Sequence, residues 1–389
     1  MMQTSVGINV PSRILDWVLN IGSKDRLTDA QLSNIREWRS GASLPTVKDI
    51  RTISDRLQVP FGYFFLSQPI DDTPPVCAHR TIGSRDIDRK PSRGLVDTVY
   101  AMSALQDWAR QDRIDHDEEP FDFVGSVAVD VDSAGLTEAL RQVLRLDEHW
   151  YRDGANSNPD TAFVYLRDHA EQTGIIVMMS GIVGENVRRR LDPEEFRAFA
   201  LIDEYAPLVF INRADEPASA RLFSLVHELA HILLGEDELY NDKSVSVAVT
   251  PVERLCNAAA TALLMPDEDF SMAWGAAGGD ADERIRAVRK LFPVSWVTVA
   301  LRALHHRYIS EEQYDAVCKR AKEWTATQKS RNVSSGGNYY ATKSSRFDHR
   351  LLDRIVASVA EGRTSYTEAY RMTGTNRRTF QELLKRVEP

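Results

Sequence analysis

The sequence predicts an α+β protein in which a small mixed sheet packs against helices, with helical modules at both ends. Three observations carry that prediction. Apolar residues recur at helical spacing over most of the 389 residues. Two short apolar runs, 174–179 and 206–212, have the length and bounding residues of strands. Breaks rich in Asp and Pro at 71–75, and in Ser, Gly and Asn at 330–345, set the ends apart from the middle. With 43% hydrophobic and 27% charged residues, 20 Gly and 16 Pro, the composition is that of a globular chain long enough for two to four domains.

In chain order, Ile14, Leu15, Val18 and Leu19 form a first helical stripe, and Leu32, Ile35 and Trp38 a second. Pro45-Thr46 opens a third, with Val47, Ile50, Ile53 and Leu57. A helix is expected over 94–111, followed by an Asp/Glu/Pro-rich loop at 115–120. Residues 137–180 alternate helix and strand, with 162–170 helical and 174–179 extended. The strand 206–212 precedes a helix over 218–234, where Leu222, Leu225, Val226, Leu229, Ile232 and Leu233 keep helical spacing and Gly235 supplies the stop. Further helices are expected at 252–264, ended by Pro266, at 283–291, 297–307, 348–361 and 366–372, and at 379–387 beyond a turn at Gly374. The resulting boundaries are 1–70, 71–150, 151–310, 311–345 and 346–389.

His227-Glu228-Leu229-Ala230-His231 lies inside the 218–234 helix. Residues four apart share a helix face, their Cβ atoms about 5–6 Å apart, so both imidazoles reach one Zn²⁺ at about 2.0–2.1 Å. Glu228 is rotated about 100° from His227, beside the open metal position where a water must lose a proton. It is placed to be the catalytic base. The bland alternative, two histidines decorating a core helix, leaves an ionisable trio on an apolar helix unexplained. A third ligand is needed, and Glu253, Cys256, Asp267 and Glu268 are the nearby candidates. Glu253 opens the next helix, and Ala258-Ala259-Ala260 lets that helix approach the first closely, which favours Glu253 over Cys256. Asn257, one turn after Glu253, and Asn212, at the end of the strand, are candidates for supporting the ligands or touching substrate.

Arg221-Leu222-Phe223-Ser224-Leu225-Val226-His227-Glu228-Leu229-Ala230-His231-Ile232-Leu233-Leu234-Gly235, then Val252-Glu253-Arg254-Leu255-Cys256-Asn257-Ala258-Ala259-Ala260 and Leu263-Leu264-Met265-Pro266, resembles the ImmA/IrrE family of zinc-dependent endopeptidases. The resemblance spans 160–310 and includes the strand 206–212. It implies a zincin-like metalloprotease core, zinc held by His227, His231 and Glu253 in gluzincin fashion, and Glu228 as catalytic acid/base. It also implies a protein partner: a Xre/Cro-type repressor encoded nearby, cleaved to release phage, mobile-element or stress genes, or a toxin of a toxin–antitoxin pair. Trp38-Arg39-Ser40-Gly41 with Pro45-Thr46, then 57–66, is similar to the end of a Xre-type DNA-binding module. Residues 22–29, where the first helix of its helix-turn-helix belongs, read as loop.

The chain carries −9 overall, while 331–389 holds 11 Lys/Arg against 6 Asp/Glu, a net of +5 that leaves −14 for residues 1–330. An acidic body excludes a general nucleic-acid coat and leaves DNA contact to the terminal modules, including the helix-turn-helix-like 366–387 with Arg377 and Arg378. Three separated cysteines, Cys77, Cys256 and Cys318, offer no disulfide framework, and no export or membrane segment is evident, so a cytoplasmic protein is expected. The rival from another class is a non-catalytic antitoxin or DNA-binding regulator that uses the zincin fold as a docking surface. Glu228 speaks against it, since a scaffold that only ligates metal has no need of that carboxylate.

Overall fold

The computed structural model describes residues 7–78, 91–214, 217–235, 239–240, 250–331 and 345–387. The chain forms two compact units, one reaching Ala78 and including the stretch up to Tyr100, the other continuing from Ala101. Among the described residues, no helix is long and apolar enough to cross a membrane.

The first unit is helical: α1 (Ser12–Ile21), α2 (Asp29–Ser40), α3 (Val47–Leu57), the short α4 (Pro75–Ala78) and the start of α5 (Arg93–Asp115). Thr28 with Gln31, and Thr46 with Asp49, form reciprocal capping boxes that satisfy the first amides of α2 and α3, and Gly41 at φ +75° ends α2. Ile14, Leu15, Val18, Ile35, Ile50, Ile53, Leu57 and Phe64 make its core. Between α1 and α2, residues 22–28 hold only a single 3₁₀ turn, Lys24–Arg26, where the Xre-type pattern calls for a helix. The 71–75 break is tied down within this unit, because Asp72 accepts from Tyr63 Oη at 2.6 Å and pairs with Arg93.

The second unit holds the rest of α5, then α6 (Ser133–Val143), α7 (Pro159–Thr173), β1 (Ile176–Ser180), β2 (Ala198–Leu201), β3 (Leu208–Asn212), α8 (Ala218–Leu234), β4 (Leu239–Tyr240) and α9 (Pro251–Leu264). Beyond these come α10 (Asp267–Ala276), α11 (Ala281–Arg289), α12 (Trp296–His305), α13 (Glu311–Arg331), α14 (His349–Ala360), α15 (Tyr366–Thr373) and α16 (Arg377–Val387). The sheet order is β1-β3-β2-β4, with β1 and β3 parallel and the other pairs antiparallel, so the α+β class with a small mixed sheet holds. Most of the 330–345 break lies outside the described residues.

Helix α8 packs on β2 and β3 and between α7 and α9, which is why it is apolar almost all round: every residue from Ser224 to Leu234 is buried. Its last carbonyls are satisfied by a neighbouring loop, with Gly125 N donating to Ile232 O at 3.0 Å and Val127 N to Leu233 O at 2.9 Å. Gly235, at φ +73°, must be glycine, since a Cβ there would stand 3.0 Å from Gly125 Cα. The C-terminal end of the buried motif is therefore held by backbone rather than by an exposed cap.

Helix α14 and the residues before it dock on α7 and β1. Met179 N donates to Arg346 O at 3.0 Å and Val177 N to Asp348 Oδ2 at 3.1 Å, so residues 346–348 cover the outer edge of β1. The buried Arg167 guanidinium pairs with Glu171 at 2.5 Å and donates to Ser345 O at 2.8 Å, to Val177 O at 3.3 Å and to Phe347 O. Asp112 of α5 binds Arg354 and Arg363, each at 2.7 Å.

Candidate metal centre

Three donor groups meet between α8 and α9. His227 and His231 project from one face of α8, one turn apart, and Glu253 stands in the first turn of α9. Thr250 caps α9 by accepting the Glu253 amide at 3.1 Å, which fixes where the carboxylate leaves the helix. Ala259 and Ala260 are fully buried further along the same helix. Their small size permits the close approach of α8 and α9.

The ligand atoms lie within 4.8 Å of one another. His227 Nε2 and His231 Nε2 are 3.1 Å apart, His231 Nε2 and Glu253 Oε1 3.2 Å, and His227 Nε2 and Glu253 Oε2 3.4 Å. A tetrahedron with bonds of about 2.0–2.1 Å has edges of about 3.3–3.4 Å, so the two imidazoles and the carboxylate have the spacing of three corners of a zinc-sized site. Burial, partly offset by Glu253, pushes the His227 imidazolium toward its neutral form. Burial also penalises the Glu253 carboxylate, yet hydrogen bonds from His227 and His231 outweigh that and hold its pKa below the usual carboxylate range. A neutral imidazole at His227 and an ionised carboxylate at Glu253 are the protonation states that binding of a divalent metal requires.

Residues 170–304 match the IrrE N-terminal-like domain, a peptidase family. Residues 347–386, which are α14 to α16, match a domain of unknown function (DUF8813). No curated protein and no solved structure matches. The IrrE-like segment runs from the end of α7 into α12 and contains the whole metal-ligand cluster. The similarity of this segment to a peptidase family points to a metal ion, and the His227, His231 and Glu253 donor set fits one.

Within the IrrE-like segment, Glu228 is fully buried beside His227 on α8. Asn257 lies one turn after Glu253, and its side chain contributes to the environment of His227. The other residues singled out by sequence lie elsewhere. Cys256 is fully buried in the hydrophobic core and is not part of the ligand cluster. Asp267 pairs with Arg302 at 2.6 Å and His306 at 2.7 Å on the surface. Asn212 is spent on its own backbone: its amide donates to Phe196 O and accepts from Ala214 N, both at 3.0 Å, at 1% exposure. That geometry makes it a clasp closing the end of β3, rather than a group facing substrate. Strand β3 likewise cannot take up a substrate strand, because β1 and β2 pair with its two edges.

Sequence reasoning missed one ionic cluster. Asp168, Glu171 and His349 gather where α14 meets α7, with Arg167 and Asp348 alongside. The signal was available, since Arg167 and Glu171 fall on the same face of α7 as Ala162, Phe163, Leu166 and Ala170. A buried charged pair at i, i+4 calls for a partner element, and α14 is that element.

Proposed function

We propose that this protein is a zinc-dependent endopeptidase acting on a cognate regulatory protein. The reading rests on one observation above the others: two imidazoles and a carboxylate, all buried, converge at 3.1–3.4 Å beside a buried glutamate on the same helix. His227, His231 and Glu253 would hold the metal, which when bound would supply Lewis-acid polarisation of the scissile carbonyl and of the attacking water. Glu228 takes the proton from that water and hands it to the departing amine, so one carboxylate serves as base and then acid. Burial around the cluster excludes bulk water and strengthens each of these interactions.

The resemblance to ImmA/IrrE endopeptidases supports a Xre/Cro-type repressor encoded nearby as the substrate, with a toxin as the other candidate, and a cytoplasmic setting. Glu228 favours the enzyme over a docking scaffold. The test is co-expression of the chain with the repressor from its neighbourhood, with cleavage followed by mass spectrometry. Wild type should cut the repressor, and Glu228→Gln should bind zinc and partner normally yet leave the repressor intact. Equal cleavage by Glu228→Gln would remove the proposed mechanism.

A further inference from the structure

The arginines of the C-terminal module divide by face. Arg350 donates to the Glu171 and Gln172 carbonyls, Arg354 pairs with Asp112 and Glu118, and Arg363 with Asp112 and Glu361, so these three spend their charge on docking or on their own module. Arg371, Arg377 and Arg378 are exposed and make no ion pair among the described residues. Gln381, one turn beyond Arg377 and Arg378, is exposed as well.

These side chains sit on a helix-turn-helix. Helices α15 and α16 are joined by three residues, Gly374, Thr375 and Asn376, with Gly374 at φ +59°, and Tyr366, Tyr370 and Phe380 pack the pair together. Asn376 Oδ1 caps α16 through the Thr379 amide at 3.0 Å. Arg377 and Arg378 then occupy the first turn, where the helix dipole disfavours cations, and α16 has no acidic residue there. Their charge therefore costs helix stability and makes no compensating pair among the described residues.

We propose that α15 and α16 form a duplex-DNA-binding head, with α16 entering the major groove. Arg371 on α15 meets the phosphate backbone, while Arg377, Arg378 and Gln381 present the side-chain types that read guanine and adenine edges from the N-terminal half of a recognition helix. A metallopeptidase core bearing such a head would act near the DNA where a repressor sits. The charge balance favours this end of the chain, with +5 over residues 331–389 against −14 for residues 1–330.

The test uses the full-length protein and a randomised duplex DNA pool, with retention measured between about 50 and 200 mM salt. Wild type should enrich a sequence subset. The double variant Arg377→Glu, Arg378→Glu should lose at least about tenfold in affinity and shallow the salt dependence by about two counterions, while its melting temperature holds or rises because acids suit a helix N-terminus. That opposite pair of effects separates DNA contact from a structural role. If the charge reversal perturbs folding, Arg377→Ala with Arg378→Ala gives the same readout. No retention of duplex at low salt, or undiminished retention by the variants, overturns the proposal, as does capture of an acidic protein by this face in place of DNA.

Discussion

Replacing Arg167 by leucine should loosen the C-terminal module from α7 and β1. The guanidinium is about 5% exposed and pairs with Glu171 at 2.5 Å while donating to the carbonyls of Ser345, Val177 and Phe347. Removing it strands a buried carboxylate and takes the donor from three carbonyls at once. Breaking a buried ion pair costs about 3–5 kcal/mol. Glu171 keeps His349, whose Nδ1 and amide N both stand 3.4 Å from its Oε2, so the lower end, about 3 kcal/mol, applies. At about 1.4 kcal/mol per factor of ten, that raises the opening equilibrium of α14 by about two orders of magnitude. Native-state amide exchange measures this directly: Leu352 and Ile355 amides should exchange faster by that factor, while those of α8 change little. The double variant Arg167→Leu, Glu171→Leu should recover part of the loss, since no charge is then left buried alone. A change below about 1 kcal/mol in the single variant would refute the assignment of Arg167 as the main tie.

Further outcomes follow from the same geometry. Burial and the neighbouring Glu171 raise the Asp348 pKa from 3.8 to about 6, and His349 is raised by its bond to Glu171. Asp168 and Asp353 are raised by burial too. Raised pKa values mean that the docked form binds more protons at these groups, so their contribution to docking is fullest near pH 4 and is lost as pH climbs through 6, by up to about 3 kcal/mol from Asp348, and again as His349 deprotonates. Fluorescence of Trp108, which donates to Thr364 Oγ1 at 3.1 Å, reports it, and docking that tightens over this range would contradict the assignment. Gly235→Ala should destabilise by about 1–2 kcal/mol, because φ is +73°, whereas Gly275→Ala, inside α10 with nothing within 4 Å, should stabilise by about 0.5–1 kcal/mol; thermal melts distinguish the signs. Asn212→Ala should cost about 1–3 kcal/mol for the two backbone groups it strands yet leave the metal content unchanged, as denaturation and metal analysis would show.

The chemistry was more legible in the sequence than the scaffold around it. His227, Glu228 and His231 are fixed relative to one another by helical geometry alone, so the stripe from Leu222 to Leu233 was enough to put both imidazoles on one face. Glu253 followed from small residues that bring its helix close, a local signal for a tertiary contact. Strand β2 escaped notice because Ala198–Leu201 is four residues with two alanines, buried on both faces, and has neither alternation nor β-branched residues. Helix α10 was missed because Asp267 and Glu268 read as candidate metal ligands, although acids after a proline are what a first helical turn favours. The run from Leu208 to Ile211 reveals a strand but not its neighbours, and its burial on both faces marks it as central. A polar residue ending a strand looks the same whether it faces a ligand or clasps its own loop, so the bonds Asn212 makes to Phe196 and Ala214 are not legible in the sequence.

Metal stoichiometry by elemental analysis of purified protein tests the central claim most directly. The geometry predicts close to one zinc per chain in wild type, loss of it in His227→Ala, His231→Ala and Glu253→Ala, and full retention in Cys256→Ala, whose sulfur belongs to the core. Zinc that survives Glu253→Ala but leaves with Cys256→Ala would contradict the ligand set, and a folded wild type that binds no zinc would contradict the metal centre itself.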